Sequence, residues 1–446
     1  ISATSSTDES PTWSDAPNPV TEGGPWPVIY GTVRLTPVTL GWFKEYDGED
    51  QYLCWMGAVA DHAVTSIDDI FINDNPLSFY DNVTVEKRLG TLDQEPISYF
   101  EKTISEKTVN MRLSTDYVTA RTDGNTCQGL GFILCFPQGL AYISDSGSYA
   151  ETSVTINMQY RRVGDTDWTD IATETIKGST GSALYKLFRA EHLSDDGAQY
   201  DLRVKFATAP STATRYRTMC YFAGIQEIVY DQFSYPGRAL FGLRIKANDL
   251  LNSSTSLTIE CLVSRATVQV YDGEKWLAKD ATIPAWAAWD FQTNTDYGGC
   301  TLAKRIIYED FAAWAEWLET MEYYRVNICM DSVSTHQSWM EQVAMLGRGA
   351  VVQIGSKFTC IVDRPVDTPS GGVLFGVGNI LKDTFEIKYL STEERANCIE
   401  VTYKDKDANY SKQTLSWYGQ DYNTSPEQTK TTQVTLLGCD NTEQAL

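Results

Sequence analysis

Apolar residues along most of this chain fall at every second position, and only between residues 284 and 365 does their spacing lengthen to that of a helix. Val154, Ile156, Met158 and Tyr160 alternate with polar partners, as do Tyr200, Leu202, Val204 and Phe206, which is the pattern of antiparallel strands buried on one face. Turn residues Gly164, Asp165, Asp195, Asp196 and Gly197 punctuate these runs. Several short strands at this spacing predict a β-sandwich over 129–228.

On either side the strands are longer and patterned differently, so the sandwich reads as an insertion. Before it, 22–34 is a turn feeding an extended run, 53–59 an apolar strand, and 67–77 a strand, an Asn/Asp turn and a second strand. After it, 235–245 resumes a regular strand with Leu240, Gly242 and Arg244 on one face and Phe241, Leu243 and Ile245 toward the core. Runs 257–263 and 268–271 and Trp276 continue the β pattern, with Asp272 and Gly273 as a turn. Later strands are predicted at 385–389, 398–403 and 433–436, with a charged hairpin tip at 404–409.

The block 284–365 is different. Phe311, Trp314, Ala315 and Leu318 share one helical face and predict a helix over 309–323, with Glu309 and Asp310 in the first turn, where the helix dipole favours negative charge. Ser334 followed by Gln337 predicts a capping box for a second helix with Trp339, Val343 and Leu346 as its apolar stripe, stopping at Gly347. Runs 350–354 and 357–362, joined by Gly355 and Ser356, predict a tight hairpin. Trp286, Trp289, Trp314, Trp317 and Trp339 are expected mainly to pack. The fold class is therefore mainly β with a smaller α+β part: a disordered lead over 1–21, a β-rich domain from 22–128 plus 229–283, the inserted sandwich at 129–228, and an α+β domain at 284–446 made of two helices, a hairpin and further strands.

Charge narrows the function classes. With 59 acidic against 36 basic residues and a formal net charge of -23, the surface repels a polyanion, and no Lys/Arg run offers a nucleic-acid grip. No apolar run approaches the roughly 20 residues of a membrane span. None of the ten cysteines forms a C-x-x-C pair, and several lie in apolar runs, where reduced, buried thiols are expected. The polar opening and the helix start at Asp440 and Asn441, with Glu443 as the reciprocal acid, lead us to expect a piece of a longer polypeptide.

Several short stretches recur in one order: Gly23, Gly24 and Pro25 leading to Tyr30 and Gly31; 67–77 ending in Asn75, Pro76 and Leu77; Tyr235 and Pro236 before 239–245; Trp286, Trp289 and Asp290; Tyr297 and Gly298; Asp363, Arg364 and Pro365; and Gly438 with Cys439. In these motifs the chain resembles the tail-tip attachment proteins of phage lambda and its relatives, central hub proteins of long non-contractile tails. The resemblance spans most of 23–446, with the insert alike only in pattern. It implies a homotrimeric hub at the virion tail tip, synthesised in the bacterial host cytoplasm, that closes the tail tube and contacts other tail-tip and tail-tube proteins. It also implies that DNA passes nearby without being bound, and that a host receptor is met through regions C-terminal to this chain.

Catalytic chemistry finds little support. His62, His192 and His336 have no metal-ligand spacing, and His336 is expected to face solvent. No nucleophile elbow, Walker loop or dinucleotide fingerprint occurs, and no cofactor is implied. For a cell-wall hydrolase the paired carboxylates Asp68 and Asp69, Asp195 and Asp196, and Glu393 and Glu394 would be needed, yet neighbours on a strand point to opposite faces. A carbohydrate- or protein-binding adhesin module is the other alternative, with Tyr160, Trp168 and Tyr200 as a sugar-stacking surface, although Tyr160 and Tyr200 fall on the core face. The expectation is a structural virion protein without catalytic or metal-binding residues.

Overall fold

The computed structural model describes residues 18, 24–47, 50–230, 233–248, 250–251, 257–365, 375–389, 391, 396–419 and 429–446. The expected lead at 1–21 lies outside them apart from Asn18, as do Glu393 and Glu394. Among the described residues the chain is mostly strand with four α-helices, as its alternation predicts, and it forms two compact units.

The first unit comprises residues 1–22, 36–59 and 69–260. One of its sheets orders Val38–Asp47, Asp50–Ala60, Ala239–Lys246 and Val83–Leu89. The strand Ala239–Lys246 is buried on both faces from Ala239 to Leu243. Leu240 does not face away from the core: it packs with Phe43, Met56 and Ile97, while Phe241 meets Trp55 edge-on from the other face. The sandwich follows as two four-stranded sheets. One orders Thr169–Gly178, Thr152–Arg162, Tyr200–Phe206 and Val118–Arg121, and the other Leu184–Ala190, Gly129–Phe136, Tyr221–Tyr230 and Lys102–Arg112. Two of these strands precede Gly129. The inward residues of both sheets, among them Phe132, Ile156, Leu202 and Phe222, make one apolar core.

The second unit comprises residues 23–35, 60–68 and 261–446. Its central strand, Val28–Leu35, pairs antiparallel with Ile328–Met330 on one side and with Ile259–Arg265 on the other. Helix α1, Pro284–Thr293, was not foreseen, because Pro284 to Gln292 are all buried and so show no apolar stripe. Its start is set by Pro284 in the first turn, where a missing N–H costs nothing. Helix α2, Tyr308–Thr320, ends three residues short of the expected 323, where Glu322 takes a positive φ of 41°. Helix α3, His336–Leu346, is capped by Thr335 rather than Ser334; the Thr335 hydroxyl accepts from the Ser338 N–H, and the Gln337 amide donates to Glu341 instead of closing a capping box.

The hairpin Gly349–Ile354 and Lys357–Val362 forms as predicted, with Gly355 at φ 62°. Cys398–Asp405 pairs antiparallel with Ser411–Tyr418 and parallel with Thr431–Thr435. Residues 385–389 do not form a strand: among the described residues their backbone finds no ladder partner. Helices α1, α2 and α3 share one core through Trp289, Phe311, Trp314, Leu318, Val343 and Leu346. All the tryptophans expected to pack do so, with Trp317 and Trp339 only partly buried.

Gly31 sits where this unit leaves little room. Its φ is 72°, and an added Cβ would collide with the Val326 carbonyl and the Asn327 side chain, whose Oδ1 accepts the Thr32 N–H at 2.8 Å. We expect Gly31→Ala to destabilise the second unit by about 2–3 kcal/mol through strain and lost pairing. Urea unfolding followed by tryptophan fluorescence measures this, and an unchanged midpoint would contradict the packing described.

Candidate functional site

Three segments far apart in sequence meet at one carboxylate oxygen in the second unit. Asp290 is carried by α1, which is buried all round and so must bury this charge with it. Tyr30 points inward from the central strand, and Arg265 lies across from Gly31 in the neighbouring strand. Past the end of α1 the Asn294 side chain accepts the N–H groups of Asp296 and Tyr297, and the Gly299 N–H bonds the Phe291 carbonyl. This Asx turn folds Tyr297 back over the helix. Gly298 permits it, since a Cβ there would meet the Phe291 carbonyl.

Asp290 Oδ2 accepts from the Tyr30 hydroxyl at 2.7 Å, from the Tyr297 hydroxyl at 2.7 Å and from Arg265 Nη2 at 3.2 Å. Arg265 also donates to the Tyr297 hydroxyl at 2.8 Å and to the Ile29 carbonyl at 3.4 Å, and its guanidinium lies over the Tyr30 ring. His62 closes the cluster: Nε2 accepts the Ile29 N–H at 2.9 Å, so the proton sits on Nδ1, which reaches the Ala63 carbonyl.

Burial, with Asp290 beside it, raises the Tyr30 hydroxyl well above its usual range, and the same two causes raise Tyr297. Burial lowers the Arg265 guanidinium, but Tyr30, Asp290 and Tyr297 together outweigh it and the net shift is upward. His62 is lowered to about 3, first by burial and then by Arg265. Both tyrosines therefore keep their protons, Arg265 keeps its charge and His62 stays neutral. The arrangement is a satisfied knot suited to holding strands against α1, with no group poised to attack a substrate.

Of the motif residues, Tyr30, Asp290 and Tyr297 form this knot, with Gly31 and Gly298 shaping its approaches. Trp286 stacks on Tyr308, and Trp289 meets Trp276 edge-on. Gly24 and Pro25 lie on the extended lead into the central strand. Asp363 pairs with Arg348 at 2.7 Å at the foot of the hairpin, followed by Arg364 and Pro365. Tyr235 and Pro236 belong to the first unit, where the Gln94 amide donates to the carbonyls of Ser234, Tyr235 and Arg238. Sequence reasoning missed Arg265 and His62. Arg265 did leave a signal, an arginine in step with Ile259, Cys261 and Val263 on the inward side of an apolar strand; His62 left none.

The other candidates do not assemble. Asp68 and Asp69, like Asp195 and Asp196, are exposed neighbours. His336 does not face solvent but stacks on Phe291 at 4.7 Å, with Nε2 buried. Tyr160 and Tyr200 pack edge-to-face on the sandwich core, whereas Trp168 stands apart with Arg161 and Arg203 over its ring. Arg203 and Lys205 similarly lie over Tyr117, so these rings are stacked with cations and the three aromatics form no common platform. Among the described residues no cluster of His, Cys, Asp or Glu is placed to hold a metal ion.

Residues 103–231 match the FNIII-A domain of tip attachment protein J. Over 376 residues, 77% of its length, the chain is 23% identical to the tip attachment protein J of Escherichia phage SECphi27, and it spans 31% of the length of that curated relative. Among solved structures, the virion of a native gene transfer agent particle aligns over 100% of this chain and 74% of the other, at 10% identity and a TM-score of 0.42. The receptor-binding domain of spike protein P1 from bacteriophage PM2 covers 28% of this chain and 93% of its own, at 11% identity and a TM-score of 0.16. The domain match and the curated relative support the resemblance to lambda-like tail-tip attachment proteins.

Two outcomes test the knot. Asp290→Ala leaves Arg265 buried without its partner and is expected to cost about 3–5 kcal/mol in urea unfolding; a loss below about 1 kcal/mol would contradict the role assigned to Asp290. His62 has a folded pKa of about 3 against an ordinary 6.5, so the unfolded chain binds more protons between these values. The stability His62 contributes is complete above about pH 6.5 and falls as pH drops toward 3, by about 2 kcal/mol at pH 5. Urea unfolding at pH 7 and pH 5 should show this extra loss in the native chain and not in His62→Asn.

Proposed function

We propose that this chain is a structural piece of a phage tail tip, part of a central hub that closes the tail tube and serves as the platform for host attachment and DNA ejection. The observation that carries this reading is the FNIII-A match over 103–231, which coincides with the two-sheet sandwich running from Lys102–Arg112 to Tyr221–Tyr230. The buried knot agrees with it, since its groups are committed to holding the fold. In this reading the hub is a homotrimer that meets other tail-tip and tail-tube proteins, and receptor recognition belongs to regions C-terminal to this chain. A net charge of -23 favours a surface past which DNA slides without sticking. The chain is not an enzyme here and needs no cofactor.

Immunogold labelling of intact virions with antibodies raised against this chain tests the proposal. Label at the distal end of the tail is expected. Label on the capsid, or virions that carry none, would overturn it.

A further inference from the structure

In the first unit the sandwich lies over an edge strand of the neighbouring sheet. Val38–Asp47 ends the order Val38–Asp47, Asp50–Ala60, Ala239–Lys246 and Val83–Leu89, so among the described residues one side of its backbone has no strand beside it. Such an edge is a ready template for strand pairing unless something covers it. The cover is made by side chains of the sandwich sheet that contains Gly129–Phe136.

Arg189 and Gln226 both stand opposite Gly131 in that sheet, and a Cβ at Gly131 would strike the Gln226 side chain. In the room this leaves, the buried Gln226 amide donates to the Lys44 carbonyl of the edge strand at 3.1 Å and its oxygen accepts from Arg189 at 3.2 and 3.3 Å. Arg189 reaches Glu45 at 3.7 Å, and the other oxygen of Glu45 accepts from Arg244 at 3.0 Å in the edge strand's own sheet. On either side of Glu45, Lys44 pairs with Glu106 at 3.8 Å, and Tyr46 stacks on Tyr185 and donates to Glu106 at 3.4 Å.

These contacts are polar or aromatic and reach solvent: the side chains of Lys44, Glu45, Glu106 and Arg189 keep between 20% and 29% exposure. The root of the sandwich differs. There Ile104 and Ile228 share an apolar cluster with Phe43, Met56 and Leu240 of the sheet and with Ile97 and Phe100 of the connection between them. Polar contacts between parts of a chain permit relative motion, whereas a buried apolar contact resists it. We propose that the sandwich is a hinged cover: the Glu45–Arg189 clasp opens while the apolar root holds, and opening bares the backbone of Val38–Asp47. The device is argued from contacts inside the first unit and does not rest on the tail-tip reading.

Hydrogen exchange of the 446-residue chain, read by mass spectrometry on peptides covering 38–47 and 129–136, tests it in water and up to about 2 M urea. Arg189→Met keeps the length of the side chain and leaves Glu45 with Arg244, but removes every donor that crosses from residue 189. It should speed exchange over 38–47 at least about tenfold, the loss of hydrogen bonds to a charged group, and leave 129–136 unchanged. Exchange over 38–47 should also depend less on urea than exchange over 129–136, because opening exposes less surface than unfolding. Arg121→Met removes an ion pair on the opposite sheet of the sandwich and should leave 38–47 as in the native chain. Exchange over 38–47 that ignores Arg189→Met, that rises equally with Arg121→Met, or that shares the urea dependence of 129–136 overturns the inference.

Discussion

The second unit depends on one buried negative charge being met from three directions. A carboxylate taken out of water costs several kcal/mol unless hydrogen bonds and an opposite charge replace its solvent. Asp290 recovers that loss only if the central strand delivers Tyr30, the neighbouring strand delivers Arg265 and the chain after α1 turns back to deliver Tyr297. A register slip of one residue would send Tyr30 or Arg265 to the opposite face and leave the charge unmet. The knot thus fixes strand register and helix position together. Gly31 serves the same end by letting the strand approach Val326 and Asn327 closely.

Where sequence patterns were informative, they were so because one face of an element is wet. The sandwich strands, the hairpin at Gly355 and the buried stripe of α2 all alternate between core and solvent, and each was legible. Helix α1 was not, because it is enclosed by α2, α3 and the hairpin Thr267–Tyr271 and Trp276–Asp280, so every face is buried and no apolar period survives. Leu240 failed for the same reason, lying on a strand covered on both sides. His336 looked like a surface cap residue, and only the folded return of Phe291 gives its ring a partner.

The candidate site was legible in part and for a specific reason. Tyr30, Asp290 and Tyr297 stood out as members of ordered motifs, but nothing in their spacing said that they share one oxygen. Arg265 was visible only as an exception to the apolar rhythm of its strand. His62 was invisible, because what it provides is a backbone acceptor for Ile29, a role that any uncharged acceptor of suitable reach could fill. Motif order therefore pointed to the helix and its turn, while the partners that neutralise the helix came from pairing.

The two units solve the problem of polar groups on β structure differently. In the sandwich, the buried Asp201 is met by Arg121 and Arg161 from the neighbouring strands, and Arg203 lies over both Trp168 and Tyr117, so this face of the sheet pairs its own charges. The stretch around 385–389 has the opposite character, with alternating apolar side chains and balanced charge left to solvent.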